Sequence, residues 1–357
     1  MLSSAIAIIL VLGGLIFFHE LGHFSAARMF GVGVRTFSLG FGPAIYKLKR
    51  GRTEYRLSAV PLGGYVSMVG ESPDDDIHST ENQEFTDADS FINKKPWQRM
   101  CVVAAGPVAN LLLAFLIYWV LFIANGQFEL LPEVGVVRPD SPAAVAGIEK
   151  GDVIKSIGNT KITYWQGISQ AIEAGGGKEL TIVVTRDGQD ISLSVTPSLL
   201  SRKNIFGEEE KTFLLGIQAA GKTEKIDLGI ISAFSAAGEQ TWRMISLTVE
   251  GFIKLIERVI PAETVGGPIM IAQLVSQQAE QGIVAVLALA ALISINLGIL
   301  NLLPVPVLDG GHLVMLVYEM IVGKPVPPKV MDYSLRVGIF LLITLMVWAT
   351  FNDVRRL

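Results

Sequence analysis

The sequence contains very little cysteine and little charge. Cys101 is the single cysteine among 357 residues, which excludes an intramolecular disulfide and any metal site built from several thiolates. Charged residues make up only 17%, and the net charge of −4 gives no basic excess of the kind that nucleic-acid binding requires. Hydrophobic residues make up 50%, which is high for a soluble protein of this length. The composition therefore predicts a partnership with the lipid bilayer and none with nucleic acid.

Four apolar runs are long enough to cross a bilayer as helices, which need about 20 residues each. They lie within residues 1–30, 100–125, 282–312 and 331–357. Lysine and arginine are concentrated in 31–99, so the positive-inside rule assigns that segment to the cytoplasm. Both termini are then external, and we expect a multi-pass protein of the bacterial cytoplasmic (inner) membrane.

The connecting segments predict further structure. Alternating apolar residues in 31–99 indicate a cytoplasmic, membrane-associated β-hairpin region. Its short strands are expected at 34–39, 46–49, 53–60 and 65–69. Residues 201–281 are predicted as an external linker with amphipathic helices, and 313–330 as a cytoplasmic loop.

A small external domain is predicted at 126–200, where short strands, one helix and a hairpin follow each other. This order, and the element Gly-Ile-Glu-Lys-Gly-Asp-Val-Ile at 147–154, resemble a PDZ domain. Such a domain would capture a C-terminal peptide as an added strand; the alternative is that it keeps bulky ectodomains from the membrane. The predicted fold class is an α-helical polytopic membrane protein with four transmembrane helices, the β-hairpin region and one inserted PDZ-like α/β domain.

The first apolar run ends in a pattern that indicates a metal hydrolase. His19 and His23 are four residues apart, so on a helix they share a face and can bind one metal ion. Glu20 beside them is suited to act as a base for water. Burying two histidines and a glutamate at the end of an apolar helix is costly unless they act together, which weakens a purely structural interpretation.

Catalytic zinc needs a third protein ligand. His78 lies in an acidic loop, where a solvated histidine is expected. Pro304 and Pro306 interrupt the third apolar run, and unwound backbone at membrane depth is tolerated only beside protein or a water-filled cavity. Asp309 is therefore the leading third ligand, and His312 is the second choice.

These motifs resemble the site-2 protease family of intramembrane zinc metalloproteases, and within it the bacterial proteases that regulate sigma factors. The likeness is carried by the HExxH pattern, by Asn-x-x-Pro-x-Pro-x-Leu-Asp-Gly-Gly at 301–311, by the PDZ-like insert and by elements at 40–43, 61–66 and 105–110. The resemblance implies one zinc ion per chain and single-span membrane proteins as substrates, such as trimmed anti-sigma factors or remnant signal peptides. It also implies that Asn301 and Asn110 help to position the substrate; for both, helix packing is the alternative role.

The predicted activity is hydrolysis of a peptide bond within a transmembrane segment, near the cytoplasmic face. His19, His23 and Asp309 would hold zinc while Glu20 transfers protons. A helical substrate must first unwind, and the strands of 31–99 are expected to pair with it. Two other functions are weighed: an inactive PDZ membrane scaffold, against which the intact motifs argue, and a metal-ion carrier, against which the lack of internal sequence repeats argues.

Overall fold

The structure is a computed structural model that describes residues 2–71 and 85–356, so His78 lies outside the described residues. Its helices are α1 Leu2–Met29, α2 Pro96–Asn125, α3 Pro142–Val145, α4 Gln166–Ala174, α5 Ile230–Ile256, α6 Pro268–Gln281, α7 Ile283–Asn301, α8 Asp309–Val322 and α9 Pro328–Arg356. Its strands are β1 Val34–Arg50, β2 Thr53–Met68, β3 Gln127–Leu130, β4 Val134–Val137, β5 Val153–Ile157, β6 Thr160–Lys161, β7 Leu180–Arg186, β8 Gln189–Val195, β9 Ser198–Lys203, β10 Glu209–Leu214, β11 Ile217–Ala219 and β12 Thr223–Ile226.

Within these described residues, four helices are long and apolar enough to cross a membrane: Ile6–Met29 of α1, and α2, α7 and α9. They coincide with the four apolar runs of the sequence. Only 11% of the apolar window of α9 is buried within the protein, so most of its apolar side chains face outward. Such a surface suits lipid better than water, and the chain has the character of an integral membrane protein with β-rich regions.

The chain divides into two compact units. The first contains the chain as far as Leu121, Phe234–Ile253 and the chain from Pro261 onward; it includes α1, α6 to α9 and the β1–β2 sheet. The second contains Phe122–Ala233 and Lys254–Ile260, and it includes the remaining strands.

β1 and β2 are long, bent antiparallel strands. Residues 36–39 of β1 pair with 64–67 on one side and with 54–57 on the other, so they are central in the sheet. Residues 46–50 pair with 53–57, and in the described residues their other side forms a sheet edge. The four predicted short strands are thus joined into two, because glycine at position 40 has a φ of +89° and allows β1 to bend without ending.

The β1–β2 sheet is fixed to the membrane helices by an apolar core. Val34 and Phe37 of β1 and Val66 of β2 are buried in one cluster with Ala27 of α1 and Val102 of α2. The cluster brings the end of β2 close to the last turns of α1.

Two helices differ from the expected elements. α6 was expected among surface helices of the external linker, but its Val275 is fully buried in a cluster with Val11 and Leu15 of α1 and Val286 of α7. α8 occupies most of the predicted cytoplasmic loop; its 14 residues are too few to span a bilayer, so its sequence does not form an apolar run of spanning length. In both cases packing between distant segments decided the outcome.

The second unit is built around a four-stranded antiparallel sheet in the order β6-β5-β7-β8. Ile168 and Ile172 of α4 pack with Ile154, Ile182 and Val184 of the sheet in one buried cluster. Residues of α4 three and four apart face the same side, so the helix covers the sheet with one apolar stripe.

This unit continues beyond residue 200, where the predicted domain ended. β11 pairs with β4, and β12 pairs with β3, so strands from the predicted linker complete the unit. These strands have only three or four residues, which is too short for a clear alternation of apolar and polar positions. The identification of the unit as a PDZ-like domain stays a prediction.

Candidate metal centre

Helix α1 extends without interruption past His19, Glu20 and His23 to Met29. His19 and His23 therefore lie one turn apart on the same face, with ring centroids 4.8 Å apart. Their Nε2 atoms are 3.2 Å from each other, and each residue is 9% exposed. Two ring nitrogens thus face the same point inside the protein.

Asp309 reaches the same point from the other end of the sequence. It is the first residue of α8, after a turn that contains Pro304 and Pro306. Its Oδ2 lies 3.2 Å from His19 Nε2, and its Oδ1 lies 3.5 Å from His23 Nε2. The structure therefore brings together the three residues that the sequence predicted as metal ligands.

The two glycines after Asp309 let the chain turn tightly enough to present this carboxylate. A Cβ on Gly310 would lie 2.5 Å from the carbonyl carbon of Leu302, and a Cβ on Gly311 would lie 2.6 Å from Cα of Pro306. Real side chains do not tolerate such contacts with backbone atoms. The Asp-Gly-Gly sequence is thus needed for the close packing of the helix start against the preceding turn.

The donor set fits zinc. Among the described residues, His19, His23 and Asp309 form a group whose donor atoms all lie within 4.8 Å of one another. A tetrahedral ion with bonds of about 2.0–2.1 Å separates its ligand atoms by about 3.3 Å, close to the distances between these atoms. Two imidazoles and one carboxylate are also a donor set that catalytic zinc sites use, with a fourth position left for water.

Helix α2 fixes the orientation of His23. The Nδ1 of His23 lies 2.9 Å from the carbonyl oxygen of Val102. A carbonyl only accepts hydrogen bonds, so Nδ1 must carry the proton, and the lone pair of a neutral ring is left on Nε2. The ring lies directly against Gly106, since a Cβ there would be 2.6 Å from His23 Cε1 and closer still to Nε2. The sequence analysis included Gly106 in the element at 105–110 but predicted no contact of Gly106 or Val102 with a metal ligand.

Asn110 lies one turn further along α2 and is fully buried. Its Nδ2 is 3.1 Å from Nδ1 of His19, the ring nitrogen that does not face Asp309. The structure thus places Asn110 behind a predicted ligand, where it contacts His19 directly. The predicted role of Asn110 in substrate positioning stays a prediction.

Glu20 lies between the cluster and the sheet. The Cγ of Glu20 is 3.1 Å from where a Cβ on Gly64 would lie. The end of β2 therefore packs against this side chain and restricts its position. A carboxylate held beside a zinc-binding group is suited to transfer protons.

The remaining predicted residues lie near the turn before α8. Asn301 is the last residue of α7; it is half-buried, and within the described part of the chain its side chain has no hydrogen-bond partner. His312 is exposed, one turn after Asp309, and does not belong to the three-residue donor group. Asp309 rather than His312 is therefore the third member of the cluster.

A buried ion pair that the sequence analysis missed fixes α8 to α2. Arg99 donates to the carboxylate of Glu319, and its Nε also donates to the carbonyl oxygen of Lys94 at 3.1 Å. The Arg99 side chain is 8% exposed and that of Glu319 is 16% exposed. Because Asp309 begins α8, this pair helps to hold the helix that carries the carboxylate.

The sequence is similar to known proteins along almost its whole length. The model of peptidase family M50 matches residues 7–345. A protein of Campylobacter jejuni that is named as a zinc metalloprotease is 37% identical over 353 residues, which cover 99% of this chain and 93% of the relative. Metalloprotease MmpA of Caulobacter vibrioides is 34% identical over 385 residues, with 99% and 96% covered. Regulator of sigma-W protease RasP of Bacillus subtilis is 29% identical over 426 residues, with 99% of each covered.

Proposed function

The chain belongs to peptidase family M50 and is a zinc metalloprotease of the membrane, and we propose that it hydrolyses peptide bonds within the transmembrane segments of single-span proteins. The observation that carries this proposal is that two of the three clustered donors, His19 and His23, lie on α1, a helix that is apolar enough to span the bilayer. The similarity to a protease named for the regulation of sigma-W supports regulated intramembrane proteolysis. Trimmed anti-sigma factors and remnant signal peptides are the proposed substrates.

In this proposal His19, His23 and Asp309 hold zinc, and Glu20 is the catalytic base. Zinc supplies a Lewis acid that polarises the scissile carbonyl and acidifies water. Glu20 accepts the proton of the attacking water and delivers it to the leaving amine. The close packing of β2 at Gly64 restricts the position of the carboxylate for both transfers.

Asn301 is proposed to bind the substrate backbone. Its amide has no partner among the described residues, and it ends α7 only eight positions before Asp309. An unpaired side-chain amide can donate a hydrogen bond to the scissile carbonyl oxygen of the substrate as negative charge develops on that oxygen.

The β1–β2 sheet is proposed to hold the unwound substrate as an added strand. Its edge segment carries exposed apolar side chains: Ile45 is 71% exposed and Tyr46 is 60% exposed. Gly51 and Arg52 form a two-residue turn between the strands. The flanking residues Arg50 and Thr53 therefore exchange two backbone N–H···O=C hydrogen bonds. Every second residue back along the edge from Arg50 then points its N–H group into the sheet.

Two neighbouring proline variants test this role. The direction of the backbone N–H alternates along the strand, starting from the hydrogen-bonded pair at the turn. The N–H of Tyr46 therefore points into the sheet, and that of Lys47 points to the outer edge. Lys47→Pro should reduce cleavage while the sheet persists, whereas Tyr46→Pro should also weaken the sheet itself, measured by protease resistance. Full cleavage by Lys47→Pro would exclude strand addition at this edge.

The topology is proposed from charge. Basic residues concentrate in 31–99, which supports a cytoplasmic location for the β1–β2 sheet and external termini. The active site then lies toward the cytoplasmic face of the bacterial inner membrane. Cysteine labelling of Gly51→Cys and Gly188→Cys in intact cells tests this arrangement, since membrane-impermeant reagent should reach only position 188.

The second unit is proposed to be PDZ-like and to bind a C-terminal peptide of the substrate. A cavity of about 680 Å³ lies beside β11 and is lined by Arg138, Trp165, Arg202 and Lys203 among others. The cations suit a carboxylate, and the strand suits pairing with an extended peptide. The alternative role is exclusion of bulky ectodomains from the membrane.

Arg202 and Lys203 lie opposite Glu210 and Glu209 in the β9–β10 ladder, so their charges are already balanced. Arg138 is therefore the cation proposed to bind the peptide carboxylate, and Arg138→Ala tests peptide capture. A fluorescent peptide with a free C-terminus should bind wild type more tightly than the variant, and its amidated form should bind weakly to both. Equal binding in all combinations would favour exclusion by size.

The central test compares wild type with Glu20→Gln in liposomes that contain a trimmed single-span substrate. Both should contain zinc, but only wild type should cleave, since general acid–base catalysis contributes about 10²–10⁴-fold. Cleavage by Glu20→Gln at the wild-type rate would refute the role of Glu20. Zinc in both without cleavage of any substrate by wild type would favour a membrane scaffold or a metal-ion carrier.

A further inference from the structure

Asn110 is a fully buried amide in the middle of an apolar membrane helix. Its Nδ2 contacts His19 Nδ1, while its Oδ1 has no hydrogen-bond partner among the described residues. Burying an amide with one unsatisfied atom is costly, so its position beside His19 calls for an explanation.

The chemistry of imidazole supplies one. A neutral ring carries its proton on one nitrogen, so a ring that binds metal through Nε2 needs the proton on Nδ1 and an acceptor beside it. For His23 that acceptor is the Val102 carbonyl oxygen. For His19 the group in reach is the amide of Asn110, which offers an acceptor only when Oδ1 faces Nδ1.

The observed orientation corresponds to the other tautomer. Nδ2 donates to His19 Nδ1, which leaves the ring proton on Nε2, 3.2 Å from Asp309 Oδ2. A half-turn of the amide exchanges Nδ2 and Oδ1. Because Oδ1 has no partner among the described residues, a half-turn breaks no hydrogen bond of Oδ1, and the tautomer of His19 favours one orientation over the other.

We propose that Asn110 is the positioning residue of His19, with an amide oxygen that accepts from Nδ1–H when His19 binds zinc through Nε2. This rests on the proposed function, in which His19 is a zinc ligand. The Ser294 hydroxyl donates to the backbone carbonyl of Asn110 at 2.7 Å and fixes the helix there, so the amide can turn while its backbone stays in place.

The test is zinc affinity, measured by competition with a chelator in detergent, for Asn110→Leu and Asn110→Asp. The leucine variant removes the acceptor at similar volume and should bind zinc about 10- to 100-fold more weakly. The aspartate variant keeps an acceptor and should bind at least as tightly as wild type. Asn352→Leu is the matched control, since it makes the same change at another buried asparagine, whose Nδ2 has no partner among the described residues, and it should resemble wild type.

Wild-type affinity in Asn110→Leu would overturn the proposal, and so would equal weakening in the leucine and aspartate variants, because packing would then be the cause. If Asn110→Leu does not fold, the aspartate variant still decides, since only the acceptor role predicts retained affinity. His19→Ala is measured in parallel: retained zinc there would refute the ligand set itself, whereas loss there with normal affinity in Asn110→Leu would refute only this inference.

Discussion

Gly106 holds open the space that His23 occupies, so adding a single methyl group there should displace a zinc ligand. In Gly106→Ala the new Cβ would lie 2.6 Å from His23 Cε1, whereas ordinary contact begins at 3.4 Å. The ring must therefore retreat by more than about 0.8 Å, since its Nε2 would lie closer to the new Cβ than Cε1 does. It cannot retreat freely, because its Nδ1 is held by the Val102 carbonyl oxygen at 2.9 Å.

The expected magnitude follows from the geometry of zinc. Ligand distances must lie within about 0.2 Å of their ideal values, and a misplacement of about 1 Å costs on the order of 100-fold in rate. We therefore expect Gly106→Ala to bind zinc at least tenfold more weakly and to cleave about 100-fold more slowly. The helix itself should not be weakened, since alanine is favoured over glycine by about 1 kcal/mol in a helix interior.

The assay combines zinc content, chelator competition and cleavage of a single-span substrate in liposomes. Gly13→Ala is the matched control, because it makes the same change in a spanning helix where no atom lies within 4 Å of the new Cβ. It should resemble wild type in all three measurements. If Gly106→Ala also binds zinc as wild type does, the reasoning that links this glycine to the position of His23 is wrong.

Three further predictions follow from the same structure. Removing zinc with a chelator should abolish cleavage, and added zinc should restore it; activity that survives complete removal would contradict a metalloprotease mechanism. Gly22→Ala should separate α1 from α2, because its Cβ would lie 2.8 Å from Ala109 Cβ and closer to the backbone of Ala105, and loss of thermal stability relative to wild type checks this. Burial alone would raise the pKa of Asp89, but hydrogen bonds from Arg52 and from its own turn lower it to about 2. The stability that Asp89 contributes is therefore complete above about pH 4 and is lost as the pH falls through about 2. Arg52→Gln should raise the pKa of Asp89, measured by NMR titration of its carboxyl group, and the loss of stability should then begin at a higher pH.

Local patterns predicted much of the candidate site. The spacing of His19 and His23 places both rings on one helix face wherever that helix packs, and the prolines before Asp309 marked a break in an apolar helix. Asn110 shows where such reasoning ends. An asparagine in an apolar helix is recognisable as unusual, but the sequence does not state whether it faces a substrate, another helix or a ligand.

The sequence by itself determined the membrane character, the four spanning helices and the two motifs that carry the cluster, because hydropathy and helical period depend only on neighbouring residues. The tertiary structure decided the rest: that Asp309 meets residues nearly three hundred positions away, that Gly106 and Val102 support His23, and that Val275 of α6 is buried against α1 and α7. These depend on which helix faces cross at which residues. That choice is made by the packing of the whole chain, and no local pattern encodes it.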